Sequence, residues 1–381
     1  MQVSSAVRMV GLACRPRDIF VQQTVARLAE VVGAADTAGE PLDEGTGPVT
    51  ATPIMWWLKE IDGPVAEFNQ TVVLQAPDGV TAAAVIALLQ AVLDRHAMLR
   101  LRAEDHGNGG WLLSTAAPGA VEAAQCLESI DRLTDEALVA ARSRLDPAAG
   151  VVLRGLWVES THRLVLIVHH LAIDGVSWRI LLEDLNIAWT QHQDGRPVAL
   201  PRPGTSFRQW AELLSEYTRS APVVEQAQRW QTVSAVPALL PAVDPQADTY
   251  ETAGQLSAAL DAETTRLLLG AVPTAFHAGP QEMLIALGLA LAEFSGTAQI
   301  AIDVEGHGRH EELGELSGAG ARSIDLSRTV GWFTTKYPVS LDLDGLAWSS
   351  VVAGDAALGA MIKAAKEQAR ALPDGLTYGL L

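Results

Sequence analysis

Two adjacent histidines stand at the end of a strongly apolar run and are followed closely by an aspartate and a glycine: His169, His170, Asp174 and Gly175. Imidazole is the side chain best suited to proton transfer near neutral pH. If the apolar run is a strand, the two histidine side chains point to opposite faces, so that one meets a neighbouring layer and the other projects into a cleft. Gly175 permits a tight turn with positive φ. Asp174 is placed to cap a following helix or to pair with an arginine.

A carboxylate, Glu305, ends a second strand-like run at 299–305. The apolar side chains of that run alternate along the chain and share one face: Ile300, Ile302 and Val304. We therefore expect Glu305 on the opposite face, at the end of the strand. Gly306 and Gly308 allow the backbone to turn closely after it. Taken one at a time, a histidine pair is usually structural and such a glutamate is usually a solvent-exposed strand end.

The elements that must position these groups follow a mixed α/β pattern. Alternating apolar residues predict strands near 68–75, 111–114, 151–159, 163–170, 256–260, 299–305 and 332–341. Helical periodicity predicts helices at 82–96, 135–144, from near Ser177 onward, and at 207–217, 223–232, 262–271 and 279–294. The run at 163–170 is apolar on both faces, which indicates a central strand covered on both sides. Three prolines in 233–254 predict a subdomain boundary there.

Composition excludes several classes of partner. The chain has 381 residues and a formal net charge of −18, which disfavours binding to nucleic acid and to anionic membranes. Its two cysteines show neither metal-ligand spacing nor a disulfide framework, so we expect no metal and a reducing compartment. The longest strongly apolar run, at 283–292, is too short to cross a bilayer, and the N-terminus lacks the apolar core of a signal peptide. The sequence therefore predicts a cytoplasmic protein.

The two candidate groups lie in motifs that resemble those of one family. His169 to Gly175 matches the HHxxxDG signature of the condensation superfamily, which includes acyltransferases of the chloramphenicol acetyltransferase type. Its extension to residue 185 resembles the epimerization domains of nonribosomal peptide synthetases. EGHGR at 305–309 and the stretch at 325–339, which contains RTVGWFT, resemble two further epimerization motifs. The chain departs from the family pattern at His310 and in a Gly/Ala/Ser-rich insertion at 313–323. Weaker matches follow the family's order, so the resemblance covers 51–381: they lie at 53–58, 68–70, 94–100 and 373–379.

The resemblance implies an α/β fold of two chloramphenicol-acetyltransferase-like subdomains in a V shape. We assign 53–235 to the N-terminal and 236–381 to the C-terminal condensation-like subdomain. Residues 1–33 resemble the second half of a carrier domain, a short helical remnant without the serine that bears phosphopantetheine in that family, and 34–52 form a linker by composition. Because the family continues beyond the motif at 373–379, we expect the second subdomain to be truncated, with exposed sheet edges.

For such a domain the resemblance implies epimerization, L to D, at the Cα of an aminoacyl or peptidyl thioester in nonribosomal peptide synthesis. The substrate would arrive on the phosphopantetheine of a partner carrier domain, and no cofactor would be bound directly. Carried over residue by residue, Glu305 is the acid/base at Cα, and His170 is the partner base or the donor to the enolate oxygen. Trp332 either blocks an acceptor channel or packs as a core indole. The supporting candidates are His169, Asp174, Gly175 and Trp332.

Three other functions stay open. An amide-forming condensation domain would use the same histidine, and a docking remnant of a broken synthetase would bind carrier domains without chemistry. A free acyltransferase would use coenzyme A. Glu305 in EGHGR and the TVGWFT stretch favour epimerization over condensation. The carrier-like segment argues against the free acyltransferase.

Overall fold

Strands and helices alternate along the chain in a computed structural model, which describes residues 3, 7, 12–14, 16–34, 43–61, 63–107, 109–249, 251–277, 284–316, 324–344 and 348–380. The strands are β1 (Leu12–Ala13), β2 (Gly33–Ala34), β3 (Gly47–Val49), β4 (Asn69–Gln75), β5 (Leu101–Asp105), β6 (Trp111–Thr115), β7 (Leu127–Ile130), β8 (Leu153–Val158), β9 (Arg163–His169), β10 (Gln299–Gly306) and β11 (Thr335–Asp342).

The α-helices are α1 (Pro16–Gln22), α2 (Val25–Val31), α3 (Pro53–Glu60), α4 (Ala82–Arg95), α5 (Ala123–Cys126), α6 (Asp135–Arg142), α7 (Gly175–Gln193), α8 (Phe207–Tyr217), α9 (Ala221–Ser234), α10 (Ala262–Arg266), α11 (Val272–Phe276), α12 (Leu284–Ser295), α13 (Leu313–Leu316), α14 (Trp348–Ala353) and α15 (Ala357–Ala371). Short 3₁₀ turns occupy Ala97–Arg100, His170–Ala172 and Gly375–Thr377, and a π-helical turn, Leu267–Ala271, joins α10 to α11. Among the described residues, no helix is both long and apolar enough to cross a membrane.

The histidine-bearing strand β9 lies inside a four-stranded sheet of order β4-β9-β8-β7. β4 and β8 both pair antiparallel with β9, while β7 pairs parallel with β8. Every residue of β9 after Arg163 is buried, which explains why both faces of the strand are apolar. The prediction of a central strand here is confirmed. After the strand ends, α7 packs against α4 in the same unit of the fold.

Part of the predicted linker at 34–52 is ordered structure, which corrects that prediction. β3 is an edge strand of a second, three-stranded antiparallel sheet of order β3-β6-β5, and its Val49 is aligned with Leu113 of β6. Asp43 accepts a hydrogen bond from Ser206 Oγ at 2.5 Å and pairs with Arg208 at 3.3 Å. The Gly- and acid-rich composition suggested a flexible segment, but backbone pairing and buried polar contacts hold it.

The second unit of the fold is built around the hairpin-like pair of β10 and β11. The two strands are antiparallel, with Glu305 opposite Lys336. α12 packs on β10, and α15 packs on β11. The core that they enclose consists of Ile285, Leu289, Ile300, Val339, Leu341, Leu343 and Ala365.

The observed division of the chain differs from the predicted boundary at 235/236. The first unit comprises 1–220, 307–334 and 380, and the second comprises 221–306 and 335–379. α9 belongs to the second unit because Trp230 donates its indole N–H to Thr377 Oγ1 at 2.8 Å. The segment 307–334 belongs to the first unit because Arg309 is buried against Asp174. Proline content located a flexible region correctly, but the packing partners of its flanks set the division.

Two predictions of secondary structure fail in the second unit. Residues 256–260 form no strand, and Leu256 there is almost fully exposed. The predicted helix at 279–294 begins at Leu284 where the structure describes it, and 279–283 lie outside the described residues. The helix α15 was not predicted at all. In the first unit, by contrast, α8 has the predicted bounds and Thr24 caps α2 through Arg27 N at 3.3 Å.

Candidate functional site

The histidine pair lies where β9 gives way to a 3₁₀ turn. His169 is the last residue of the strand and is fully buried, opposite Asn69 of β4. His170 begins the turn and is half-buried. The prediction that the two imidazoles enter different environments is confirmed.

Both ring nitrogens of His169 are held by the backbone. Nδ1 accepts the N–H of Leu171 at 3.2 Å, and Nε2 donates to the carbonyl oxygen of Val65 at 2.9 Å. Burial lowers the pKa of His169 to about 4, the bond to Val65 opposes that shift, and the neighbouring His170 adds to it. His169 is therefore a neutral imidazole at pH 7 that closes the end of the strand, and it is not placed to exchange protons with a substrate.

His170 meets a different set of neighbours. Its Nε2 lies 2.9 Å from the side-chain amide nitrogen of Gln70, and the Gln70 carbonyl oxygen accepts the indole N–H of Trp178 at 2.8 Å. Its Nδ1 is buried. Since Gln70 contacts Nε2, the half-exposed edge of the ring presents Nε2 rather than Nδ1 to an incoming molecule.

Two aromatic rings enclose the His170 imidazole. Phe68 stacks on it with centroids 5.1 Å apart and an interplanar angle of 13°, and Trp332 lies 4.5 Å away at 45°. Trp332 is 3% exposed. The structure thus brings together two of the predicted site residues, His170 and Trp332, which are far apart in sequence.

Asp174 performs both of the functions that its position allowed. Its Oδ1 accepts the backbone N–H of Ser177 at 2.7 Å and so caps α7, and its two carboxylate oxygens lie 3.0 and 3.2 Å from Nη2 of Arg309. Oδ2 also accepts the N–H of Phe333 at 3.2 Å. Asp174 therefore ties the histidine motif to the EGHGR motif and to the stretch that carries Trp332.

Arg309 was not predicted as a site residue. Its Nη1 donates to the carbonyl oxygens of Leu326 and Thr329 at 3.2 and 2.6 Å, and its guanidinium lies 4.0 Å from the centre of the Phe333 ring. The EGHGR motif contained this residue, but nothing in its local pattern identified Asp174 as its partner. Its contacts make it a buried strut between two motifs.

The role expected of Gly175 is wrong. It is the first residue of α7, it does not have positive φ, and a Cβ added to it would meet nothing within 4 Å. The turn is made instead by the 3₁₀ segment at 170–172. Close approach does require a glycine at Gly331, where a Cβ would overlap the ring of Phe207.

A second buried network holds the start of the RTVGWFT stretch. Arg328 pairs with Asp184 of α7 and, at 3.3 Å, with Glu183. Asp184 also contacts Nε2 of His96 at 2.8 Å. Burial lowers the pKa of His96 and the Asp184 carboxylate opposes that shift, so a neutral His96 donates its Nε2–H to Asp184. These contacts fix one end of the segment that bears Trp332.

Glu305 lies in the second unit, one residue before the end of β10, and its side chain is exposed. The predicted alternation is confirmed, because the neighbouring apolar residues of the strand are buried or half-buried. Of the two glycines after it, Gly308 has the expected positive φ of 63°, while Gly306 continues the strand. His170 belongs to the first unit, so a joint action of the two residues stays a prediction.

Within the described residues, no cluster of three or more His, Cys, Asp or Glu side chains is arranged to hold a metal ion. The groups that can move protons here are therefore the side chains of the chain itself, chiefly the half-buried His170 and the exposed Glu305.

Comparison with known proteins gives a consistent result. A family model described as Condensation domain matches residues 47–380. One of the proteins that make up the linear gramicidin synthase of Brevibacillus parabrevis is 34% identical over the whole of this chain, which spans 8% of that relative. Surfactin synthase subunit 2 of Bacillus subtilis is 31% identical, with 10% of its length spanned.

Two solved structures are similar in fold. The epimerization domain from the third module of tyrocidine synthetase B has a TM-score of 0.72 and 26% identity, covering 90% of this chain and 77% of that one. The first condensation domain of the calcium-dependent antibiotic synthetase has a TM-score of 0.60 and 19% identity, covering 88% and 74%. The predicted α/β fold of this superfamily is confirmed.

Proposed function

Since the chain belongs to the condensation-domain family, we propose that it epimerizes the Cα of an aminoacyl or peptidyl thioester held on the phosphopantetheine of a carrier domain. The synthases that it resembles assemble their products on such large multidomain chains, of which this chain spans a tenth or less. A carrier domain is accordingly the partner that we propose.

The observation that carries the proposal is the likeness to the epimerization domain of tyrocidine synthetase B, at 26% identity and a TM-score of 0.72. The site supports it. Epimerization needs one group to remove the α-proton and another to deliver a proton to the opposite face, whereas amide formation needs only one base. Two such groups stand in the matching motifs, His170 with Trp332 against its ring and Glu305 at an exposed strand end.

The thioester makes the reaction accessible, because it delocalises the Cα carbanion into an enolate. We assign Glu305 as the acid/base at Cα. His170 is the partner base at Nε2, or a donor that stabilises the enolate oxygen. His169, Asp174 and Arg309 touch no substrate in this scheme and position the strand end and the loop around it.

The test uses the full chain with a panel of L-aminoacyl carrier domains in heavy water. The unaltered protein should incorporate deuterium at Cα and yield the D-aminoacyl thioester. Glu305→Gln should slow that exchange by about 10²-fold or more, which is typical of a lost acid/base. Asp303→Asn is the matched control, an exposed carboxylate two residues earlier on the same strand, and should leave the rate unchanged.

Other outcomes point to other functions. Full deuterium incorporation by Glu305→Gln would show that the assigned role is wrong. Amide formation with an acceptor carrier domain, without D-product, would identify a condensation domain. Carrier binding without any exchange at Cα would identify a docking module.

A further inference from the structure

We propose that Gln70, oriented by the indole of Trp178, sets the tautomer of His170 and so keeps Nε2 as its proton-free, basic nitrogen. The part of this inference that concerns reactivity rests on the proposed function, whereas the part that concerns the tautomer does not. Gln70 would be a positioning residue, acting on the substrate only through His170.

The direction of the hydrogen bonds follows from the chemistry of the groups. An indole nitrogen can only donate, so the atom of Gln70 that lies 2.8 Å from Trp178 Nε1 is its carbonyl oxygen. The other end of the amide is then the NH₂ group, which can only donate. It lies 2.9 Å from His170 Nε2. That nitrogen must therefore accept, and the ring proton of the neutral imidazole is on Nδ1.

The fold places these three side chains together from three separate elements of one unit. Gln70 is aligned with Val168 in the pairing of β4 with β9, and His170 follows Val168 by two positions. Side chains two apart in a strand direction share a face, so Gln70 and His170 are diagonal neighbours across the strand pair. Trp178 reaches Gln70 from the first turn of α7. The indole is 8% exposed, which limits competition from water for its N–H.

The neighbouring histidine shows the opposite arrangement. In His169, Nδ1 accepts from a backbone N–H and Nε2 donates to a carbonyl oxygen, so its proton is on Nε2. Adjacent imidazoles thus hold opposite tautomers because their partners differ. Only the tautomer of His170 leaves a lone pair on the nitrogen at the half-exposed edge of the ring, which is what a general base requires.

The first experiment reads the tautomer directly and needs no substrate. The full chain is labelled with ¹⁵N-histidine, and the His170 signals are identified by their loss in His170→Gln. At a pH where the ring is neutral, we expect Nδ1 to be protonated and Nε2 to be proton-free. Gln70→Glu keeps the shape but replaces the donor with an acceptor, so the ring proton should move to Nε2.

Two further variants keep the inference testable. Gln75→Glu is the matched control on the same strand, since the Gln75 amide donates to the backbone oxygens of Thr161 and His162 instead, and it should leave the His170 signals unchanged. Trp178→Phe removes the indole donor without adding charge, so the amide is free to turn over. We expect a mixture of both His170 tautomers in that variant, even if Gln70→Glu does not fold.

The second experiment measures α-proton exchange with the aminoacyl carrier domains. Gln70→Glu should lower kcat by about 10²-fold, as expected for a lost base, with KM for the carrier substrate within about twofold, because Gln70 does not touch it. A proton on Nε2 in the unaltered protein, or an unchanged pattern in Gln70→Glu, overturns the inference. Unchanged kcat in Gln70→Glu after a confirmed tautomer shift overturns its role in reactivity. Absence of exchange in the unaltered protein overturns the proposed function alone, since the tautomer is read without substrate.

Discussion

Acid sensitivity of the folded state should originate in part from His169. Burial holds the pKa of this residue at about 4, against 6.5 for an unperturbed histidine. Between these two values the unfolded chain binds a proton that the folded chain does not, so the free energy of unfolding falls as the pH falls. The contribution is fully present above pH 6.5 and is lost progressively as the pH approaches 4. A difference of about 2.5 pKa units corresponds to about 3 kcal/mol.

The perturbation is His169→Gln, which removes the titrating ring and retains an amide donor toward Val65. At pH 7 the variant should be less stable than the unaltered protein by about 1–3 kcal/mol, because the N–H of Leu171 loses its buried acceptor. That deficit should shrink by about 3 kcal/mol, or reverse, between pH 7 and pH 4. Urea denaturation followed by tryptophan fluorescence at several pH values measures both quantities.

His106→Gln is the control, because this histidine is exposed on the first unit. Its stability curve should run parallel to that of the unaltered protein across the whole range. If the curve of His169→Gln also runs parallel, the buried imidazole does not resist protonation, and the assignment of its two hydrogen bonds is wrong.

Two further predictions concern the contacts that join the motifs. Asp174→Asn leaves a buried guanidinium without its carboxylate, so urea denaturation should show a loss of about 3–5 kcal/mol, whereas Asp303→Asn breaks an exposed ion pair and should cost under about 1 kcal/mol. Equal losses would contradict the burial argument. Gly331→Ala should destabilise by about 1–3 kcal/mol because its Cβ would overlap Phe207. Gly175→Ala should stay within about 0.5 kcal/mol in thermal unfolding, and a larger loss there would restore the turn that the sequence suggested.

Local patterns predicted the elements that depend on local causes. The apolar stripe of α8 predicted both of its ends, and the doubly apolar run predicted β9 as a buried central strand. The failures lie where local pattern and packing disagree. Residues 256–260 alternate like a strand, yet no partner strand covers them and Leu256 is exposed. The ordered segment at 47–49 resembled a linker because its composition does not reveal the strand β6 that pairs with it.

The chemical groups of the candidate site were predicted with unequal completeness. His170, Asp174 and Glu305 stand in recognisable motifs, and the two options for Asp174, a helix cap and an arginine partner, both hold. Arg309 was visible within EGHGR, but its partner was not. Gln70 carried no chemical signal of its own, because a glutamine on a half-exposed strand is ordinary.

The amino-acid sequence by itself determined which titratable groups are available and that one histidine of the pair would be buried at a strand end. Only the tertiary structure decided which nitrogen of each imidazole carries the proton. The reason is that a tautomer depends on the hydrogen-bond partners of the ring, and for His170 that partner is 100 positions away. The register of β4 against β9 brings Gln70 to Nε2, and a shift of one residue would turn its side chain to the other face of the sheet.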